Sequence, residues 1–364
     1  MSADVLNWFE TFCPVDNPSG GEATIRERIA GVLKTFGASD QHVDAKGNLF
    51  VKIPGDAAKE VIMLSAHMDS VPPCHGIVPV RDERNGRAII RSEGKTILGA
   101  DDKSGIATIV SIIETLSKEG FKTNHPLELF FSTEEEIGLN GAKGFDMKQS
   151  KAAYCYVLDG EGRVGLIFNE GPSQENIQVL CTGRASHAGI APEAGISAIQ
   201  MGAELCATLP TGRLAPDLTS NIGVIKGGNA LNIVAPELSF RSDARSLDDT
   251  KLEDLLSTYR STCAAVEKKY PGSRVEMIAS RRYNHFKVDP KHVVIQRAEE
   301  ACRALNIAPA IASMNIGSDA HILNANGLAT VVLGMGFHYS HSLGEFIYCE
   351  ELAQVYEVTL ALVR

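Results

Sequence analysis

The chain has 364 residues, of which 44% are hydrophobic and 22% charged, and its formal net charge is -10 at pH 7. This length exceeds what one hydrophobic core usually supports, so we expect two domains. The acidic balance argues against a nucleic-acid-binding protein, because such proteins carry an excess of Lys and Arg. No apolar run approaches the roughly 20 residues that a membrane-spanning helix requires.

The cysteines are spread singly along the sequence, without a C-x-x-C pair. There are eight of them: Cys13, Cys74, Cys155, Cys181, Cys206, Cys263, Cys302 and Cys349. In a chain of this length, that spacing predicts reduced thiols, a cytoplasmic location and no cysteine-based zinc site. The first residues, MSADVLNWFETF, also lack the basic start and long apolar core of a signal peptide.

Helix-like and strand-like segments alternate in the first part of the chain. Apolar periodicity predicts helices over residues 3–13, 22–36, 104–119 and 140–148. Apolar runs predict strands over residues 48–53, 61–66, 126–132 and 153–158, and a hairpin over 87–98 that turns at Glu93-Gly94. This alternation is typical of an α/β domain with a mostly parallel sheet.

Around residues 173–285 the order of elements changes. The predicted strands and helices are strand 176–182, helix 194–208, strand 219–225, strand 237–244, helix 249–269 and strand 273–280. This order is typical of a split, ferredoxin-like α+β domain. The α/β pattern then resumes with helix 291–305, strand 327–333 and a helix from residue 349. We therefore expect a discontinuous first domain, residues 1–172 and 286–364, and an inserted domain, residues 173–285.

Histidine and carboxylate side chains follow the predicted strands at their carboxyl ends, where open α/β sheets bind ligands. They lie in the segments His67-Met68-Asp69, Asp101-Asp102, Glu134-Glu135-Glu136, Asp159-Gly160 and His338-Tyr339-Ser340-His341. Histidine with carboxylates suits zinc, and cobalt or manganese is compatible with the same donors. Two ions that share one bridging carboxylate would need five protein ligands, and these would suffice: His67, Asp101, Glu136, Asp159 and His341.

Each of these segments also has an ordinary structural explanation. His67-Met68-Asp69 could be a turn, and Asp101-Asp102 could cap the following helix. Asp159-Gly160 is a common turn pair, His341 could be an exposed loop histidine, and three glutamates in a row could form a solvated loop. The metal site is favoured because separate strand ends agree on one ligand chemistry.

Together these motifs resemble those of a known enzyme family. His67-Met68-Asp69, Gly99-Ala100-Asp101-Asp102-Lys103-Ser104-Gly105, Glu134-Glu135-Glu136-Ile137-Gly138, Val157-Leu158-Asp159-Gly160 and His341-x-x-x-Glu345 occur in the order seen in the dizinc M20 metallopeptidases, and within these in the peptidase T-like (tripeptide aminopeptidase) branch. The segments 183–189 and 317–320 fit as well, so the resemblance covers nearly the whole chain. It implies a parallel-sheet catalytic domain with an inserted ferredoxin-like lid and dimerisation domain.

The resemblance also implies roles for the site residues. His67 and Asp159 would hold one zinc ion, Glu136 and His341 would hold the other, and Asp101 would bridge them.

Two further carboxylates would act beside the ions. Glu135 would be the general base that takes a proton from the metal-bridging water and gives it to the leaving amine. Asp69 would orient the His67 ring. The choice of Glu135 and Glu136, not Glu134 and Glu135, rests on the Glu-Glu-Ile-Gly pattern of the family, because chemistry alone leaves the register open.

Three residues of the inserted domain have family counterparts. His187 would reach across a homodimer to stabilise the oxyanion, although its spacing also fits a glycine-flanked surface histidine. Asn232 and Arg241 would grip the substrate carboxylate, and Arg241 could instead form an ion pair on a strand face.

The implied function is cleavage of the N-terminal peptide bond of a short peptide by a cytoplasmic dizinc aminopeptidase. One departure concerns specificity, because Met314-Asn315-Ile316 stand where tripeptide aminopeptidases tend to have an Arg. An N-acyl amino acid deacylase or a carboxypeptidase would use the same ions. A noncatalytic metal- or peptide-binding protein is disfavoured by the intact ligand set, and a nucleotide-dependent enzyme by the lack of a phosphate-binding glycine motif.

Overall fold

The computed structural model describes residues 4–364. Its α-helices are α1 Val5–Phe12, α2 Ala23–Thr35, α3 Ala100–Lys118, α4 Asn140–Gly144, α5 Ala198–Thr208, α6 Asp249–Lys269, α7 Val293–Ala304, α8 Ala320–Ala325 and α9 Cys349–Val363. Short 3-10 helices lie at Met147–Gln149 and Pro192–Ala194. Residue 3, where the first helix was predicted to begin, lies outside the described residues.

The strands alternate with these helices. They are β1 Asp40–Val43, β2 Leu49–Ile53, β3 Ile62–His67, β4 Pro79–Arg84, β5 Arg87–Ser92, β6 Leu127–Ser132, β7 Tyr154–Gly160, β8 Leu166–Gly171, β9 Ser173–Thr182, β10 Gly212–Ala215, β11 Leu218–Gly227, β12 Glu237–Ser246, β13 Arg274–Tyr283, β14 Phe286–Lys287, β15 Ala310–Ser313, β16 Ala329–Gly334, β17 Phe337–His338 and β18 Phe346–Tyr348.

The chain divides into two compact units. Unit 1 comprises the residues up to Glu170 together with Lys287–Arg364, and unit 2 comprises Gly171–Phe286. Among residues 4–364, none of the helices combines the length and the apolar character that a membrane span needs.

Unit 1 is built on a mixed sheet with the strand order β1-β2-β6-β3-β7-β16-β8-β14, and β15 pairs with β8. The strands β6, β3, β7 and β16 run parallel to one another at its centre. Every residue of β3 and β6 is buried, which is why both sequences read as apolar runs without alternation. The expectation of an α/β fold with a mostly parallel central sheet is confirmed.

Unit 2 is an antiparallel sheet in the order β10-β11-β12-β9-β13, with α5 and α6 against it. Its core includes Val179 of β9, Phe240 of β12, Leu205 of α5 and Tyr259 of α6. Apart from the short strand β10, its elements follow the order strand, helix, strand, strand, helix, strand.

A hairpin is the clearest correction to the predicted elements. The prediction had it turn at Glu93-Gly94, but it is formed by β4 and β5 and turns at Asn85-Gly86. Asn85 and Gly86 both have positive φ, at 53° and 75°, as the two central residues of a type I′ turn require. Asn-Gly is the strongest short-range signal for that turn, and the prediction overlooked it.

Candidate metal centre

Three neighbouring parallel strands end at the same edge of the unit 1 sheet. His67 is the last residue of β3 and lies opposite Ser132, the last residue of β6. Glu135 and Glu136 follow β6 directly, and Asp159 is the penultimate residue of β7. The regular geometry of parallel strands therefore brings together side chains that are far apart in sequence.

Asp101 lies between two histidines. Its Oδ1 is 2.8 Å from Nε2 of His67, and its Oδ2 is 3.2 Å from Nε2 of His341. His67 Nε2 is also 3.5 Å from Oδ1 of Asp159, and His341 Nε2 is 2.9 Å from Oε1 of Glu136. Each histidine nitrogen thus faces the shared carboxylate and one further carboxylate of its own.

The same residues form overlapping groups whose donor atoms lie within 4.8 Å of one another. These groups are His67–Asp101–Asp159, Asp101–Glu136–His341 and His67–Glu135–Glu136. The first two share Asp101 and together contain all five ligands proposed from the sequence. The third adds Glu135, which is only 8% exposed.

Asp69 connects the end of β3 to the glutamate segment. Its carboxylate accepts hydrogen bonds from the backbone N–H groups of Glu135 at 3.0 Å and Glu136 at 3.2 Å, and from Ser19 Oγ at 2.6 Å. Its Oδ1 also lies 3.5 Å from Nδ1 of His67. Asp69 therefore faces the ring of one candidate ligand and fixes the backbone of another.

The interpretation of Asp101-Asp102 as a helix cap was correct for Asp102 only. Its carboxylate accepts the N–H of Gly105 at 3.1 Å, as a helix cap does, and also the N–H of His67 at 3.1 Å. Asp101 and Asp102 depart from helical φ and ψ at the start of α3. One aspartate thus holds the backbone while its neighbour faces the histidines.

Neighbouring carboxylates favour the protonated form of both histidines. Burial acts to lower the pKa of His67, but its hydrogen bond to Asp101 and the nearby carboxylates of Asp159 and Asp69 outweigh burial and raise the pKa well above its usual value. A hydrogen bond to Asp101 and a second one to Glu136 raise the pKa of His341 to about 10. Both nitrogens therefore point at negative charge.

The carboxylates respond to burial in the opposite sense. Burial raises the pKa of Asp159 to about 7 and raises that of Glu135 well above its usual value. Burial also acts to raise the pKa of Asp101, but hydrogen bonds from His341 and His67 lower it overall. Like charges at this edge oppose one another unless protons or cations neutralise them.

The donor set fits divalent cations of borderline softness. It consists of imidazole nitrogen and carboxylate oxygen, without a thiolate, and its atoms converge from five separate segments. The two oxygens of Asp101 face different histidines, which is the arrangement that a bridging ligand requires. This cluster can hold metal ions.

Of the three candidate residues of unit 2, His187 and Asn232 lie in neighbouring segments, and Arg241 lies elsewhere on the sheet. His187 and Asn232 lie together, because His187 forms an isolated β-bridge with Ile233 and the N–H of Ala188 donates to the carbonyl of Asn232 at 2.9 Å. Both side chains are exposed. Arg241 lies on β12, opposite Gln178 of β9, and lines a cavity of about 390 Å³ on the sheet.

Two buried carboxylates near the ligands lie in segments that resemble the family but were assigned no role from the sequence. Asp319, 2% exposed, accepts a hydrogen bond from Ser132 Oγ at the end of β6. Glu345, 1% exposed, accepts hydrogen bonds from the backbone N–H groups of Gly99 and Asp101. Their presence in the Gly-Ser-Asp-Ala and His-x-x-x-Glu segments was the only sequence signal that could have found them.

Residues 63–364 match the family model described as peptidase family M20/M25/M40. A Bacillus subtilis (strain 168) protein described as uncharacterized protein YqjE is 34% identical over 369 residues, covering 99% of this chain and 97% of the relative.

Two solved structures are similar over the whole chain. Aminopeptidase PepT from Bacillus cereus ATCC 10987 is 31% identical, with a TM-score of 0.87, and the match covers 100% of this chain and 98% of that one. A tripeptidase from Staphylococcus aureus subsp. aureus Mu50 is 27% identical, with a TM-score of 0.92 and the same coverage of 100% and 98%.

Proposed function

We propose, on the premise that the chain belongs to the peptidase family M20/M25/M40, that it is a metal-dependent aminopeptidase that removes the N-terminal residue from short peptides. The observation that carries the proposal is the carboxylate of Asp101, whose two oxygens face Nε2 of His67 and Nε2 of His341 beside the buried Glu135. The similarity to an aminopeptidase and a tripeptidase over the full chain supports the choice of substrate.

The five candidate ligands would hold two zinc ions in each subunit. His67 and Asp159 would bind one ion, Glu136 and His341 the other, and Asp101 both. Bound zinc would polarise the scissile carbonyl and lower the pKa of a water molecule. Cobalt and manganese accept the same nitrogen and oxygen donors, so either could substitute in the site.

Glu135 would transfer a proton from the attacking water to the leaving amine. Its side chain is buried, and burial raises its pKa well above the usual value, so it can hold a proton that it has accepted. It would accept that proton from the attacking water and donate it to the leaving amine. The hydrogen bond from its backbone N–H to Asp69 would keep it in place during both transfers.

Unit 2 would serve as a lid and as the contact between two subunits of a homodimer. His187 would stabilise the developing oxyanion in the site of the partner, a role that suits an exposed side chain. Asn232, joined to the His187 segment through Ala188, and Arg241 would bind the substrate carboxylate.

We also propose a cytoplasmic location. The structure leaves all eight cysteines as free thiols, and most of them are buried. Free thiols are typical of proteins in a reducing compartment.

Hydrolysis of one tripeptide in two forms, with a free amine and with an N-acetylated amine, tests the proposal. We expect release of the first residue from the free form only, loss of this activity in a chelator, and its recovery with zinc. Removal of the acetyl group would instead identify a deacylase, and release of the last residue a carboxypeptidase. Metal binding without turnover of either form would contradict the aminopeptidase assignment.

A further inference from the structure

Glu345 is a buried carboxylate next to the candidate metal ligands that has no part in the chemistry proposed above. Its side chain is 1% exposed and it stands immediately before β18. It closes the loop 339–345 between β17 and β18, which carries His341. A buried carboxylate is costly unless its oxygens are satisfied by hydrogen bonds, so its partners indicate what it does.

Those partners are three backbone N–H groups, two just before α3 and one in its first turn. Oε2 of Glu345 accepts from Leu98 and Gly99, both at 2.8 Å, and Oε1 accepts from Asp101 at 3.1 Å. Gly99 has a φ of +68°, in the left-handed region that glycine adopts without strain. Successive N–H groups that converge around such a residue form a concave anion-binding site.

The hydrogen bonds join two segments that are 244 residues apart in sequence. One segment carries Asp101 and the other carries His341, the two candidate ligands whose Oδ2 and Nε2 atoms lie 3.2 Å apart. The opposite side of the loop is also anchored, because Glu161 accepts from the N–H of Tyr339 at 2.9 Å. His341 itself has a φ of 61°, so its position depends on the loop being held in this conformation.

We propose that Glu345 is a positioning residue that fixes Asp101 and His341 relative to each other, and so sets the affinity for the ion bound between them. The proposal rests on the ligand assignment made under the proposed function. Hydrogen bonds that orient metal ligands typically change metal affinity or activity by roughly 10–100-fold when they are lost.

Glu345→Gln is the informative variant. The amide keeps the length of the side chain, but it has one accepting oxygen for three donors, and its NH₂ group would face a backbone N–H. With cobalt as a spectroscopic probe in place of zinc, we expect one of the two bound ions to be held at least tenfold more weakly in a chelator competition. The visible spectrum of that ion should also change. Excess cobalt should restore much of the turnover, because the remaining residues of the site are intact.

Glu128→Gln is a matched control. Glu128 is also buried, at 3% exposure, and also accepts a backbone N–H, that of Lys151 at 2.9 Å. It lies near the amino end of β6, away from the strand end that precedes the ligands. This variant should bind both ions as the wild type does. In a chelator, the melting temperatures of Glu345→Gln and Glu128→Gln are both expected to fall.

Glu345→Asp adds a second test that does not depend on removing the charge. The shortened side chain keeps both oxygens but cannot reach all three N–H groups, so the affinity for the same ion should fall. Wild-type affinity for both ions in the two Glu345 variants would overturn the inference and leave the proposed function standing. Equal losses in Glu128→Gln would also overturn it, and a wild-type protein that binds no ion would overturn both proposals.

Discussion

The carboxylate of Asp69 accepts the backbone N–H of Glu135 at 3.0 Å. The same carboxylate lies 3.5 Å from Nδ1 of His67, so one side chain contacts both a candidate ligand and the candidate base. The end of β3 and the segment after β6 are therefore coupled through hydrogen bonds as well as through strand pairing.

Asp69→Asn should reduce both metal affinity and turnover, each by roughly 10–100-fold, because the amide cannot accept from both Glu135 and Glu136 while it faces His67. Metal content after dialysis and turnover at saturating metal would measure the two effects. Asp146→Asn is a suitable control, since Asp146 accepts the N–H of Lys148 at 3.1 Å in an exposed turn. Unchanged metal affinity in Asp69→Asn would contradict the coupling.

Glu135→Gln should lower turnover by about 10²–10⁴-fold while metal content stays near two ions per subunit, because the amide cannot accept a proton. Glu134→Gln distinguishes the neighbours in the glutamate run. Glu134 accepts a hydrogen bond from Asn140 Nδ2 at 3.0 Å, so its role in the structure is local and its variant should stay active. Loss of metal in Glu135→Gln would mean that the base and the ligand had been exchanged.

His187→Ala should lower turnover, because the oxyanion would lose a stabilising group, and should leave metal content unchanged, because His187 is not among the candidate ligands. If it acts in the site of a partner subunit, a mixture of inactive His187→Ala and Glu135→Gln proteins should recover about a quarter of the wild-type activity through mixed dimers. His42→Ala, which removes an exposed histidine of β1, serves as the control. Recovery of no activity on mixing would argue that His187 acts within its own subunit or not at all.

In the presence of a chelator, the stability of the protein should fall as the pH rises from about 4 to about 7. Burial raises the pKa of Asp159 to about 7 and that of Asp319 to about 6, so the folded state binds these protons more tightly than the unfolded state does. Their contribution is fully present below the ordinary carboxyl pKa and is lost as the pH passes through the raised values. Thermal melting in a chelator, at several pH values, measures this.

Two controls sharpen this pH dependence. Asp159→Asn cannot ionise, so its melting temperature in a chelator should vary less with pH than that of the wild type. The metal-loaded protein should show a growing advantage over the chelated protein as the pH rises, because its ligands must be deprotonated to bind. A protein that, in a chelator, becomes more stable as the pH rises from about 4 to about 7 would contradict the argument.

Gly105→Ala should destabilise the protein by about 1–3 kcal/mol and weaken metal binding. A Cβ at this position in α3 would lie 2.5 Å from Oδ1 of Asp102 and 2.5 Å from the carbonyl oxygen of Leu158, next to the ligand Asp159. Gly31→Ala in α2 is the opposite case, since its Cβ would meet nothing within 4 Å. That variant should gain about 0.5–1 kcal/mol in a chemical denaturation experiment.

The sequence predicted the central sheet, and it predicted that the candidate ligands lie close together, because both depend on regular geometry. Fully buried strands such as β3 and β6 read as apolar runs, and parallel strands end at a common edge, so His67 and Glu136 could be expected near each other. Family resemblance supplied the register within the glutamate run, which chemistry alone left open.

Other structural features could not be predicted, because they leave no pattern of residue types in the sequence. The strands β17 and β18 are 2 and 3 residues long, too short for any periodicity. The partners of Glu345 are backbone N–H groups, which every residue but proline has, so no residue type marks them. Asn85-Gly86 is different, since its turn signal was present and was overlooked.

The position of β16 has a consequence for synthesis of the protein. This strand, Ala329–Gly334, pairs with β7 on one side and with β8 on the other, inside the sheet. A growing chain therefore exposes the unpaired edges of β7 and β8 until more than 330 residues have emerged. Exposed strand edges attract other strands, so the nascent chain should depend on chaperones, and premature termination before β16 should yield aggregates instead of a smaller enzyme.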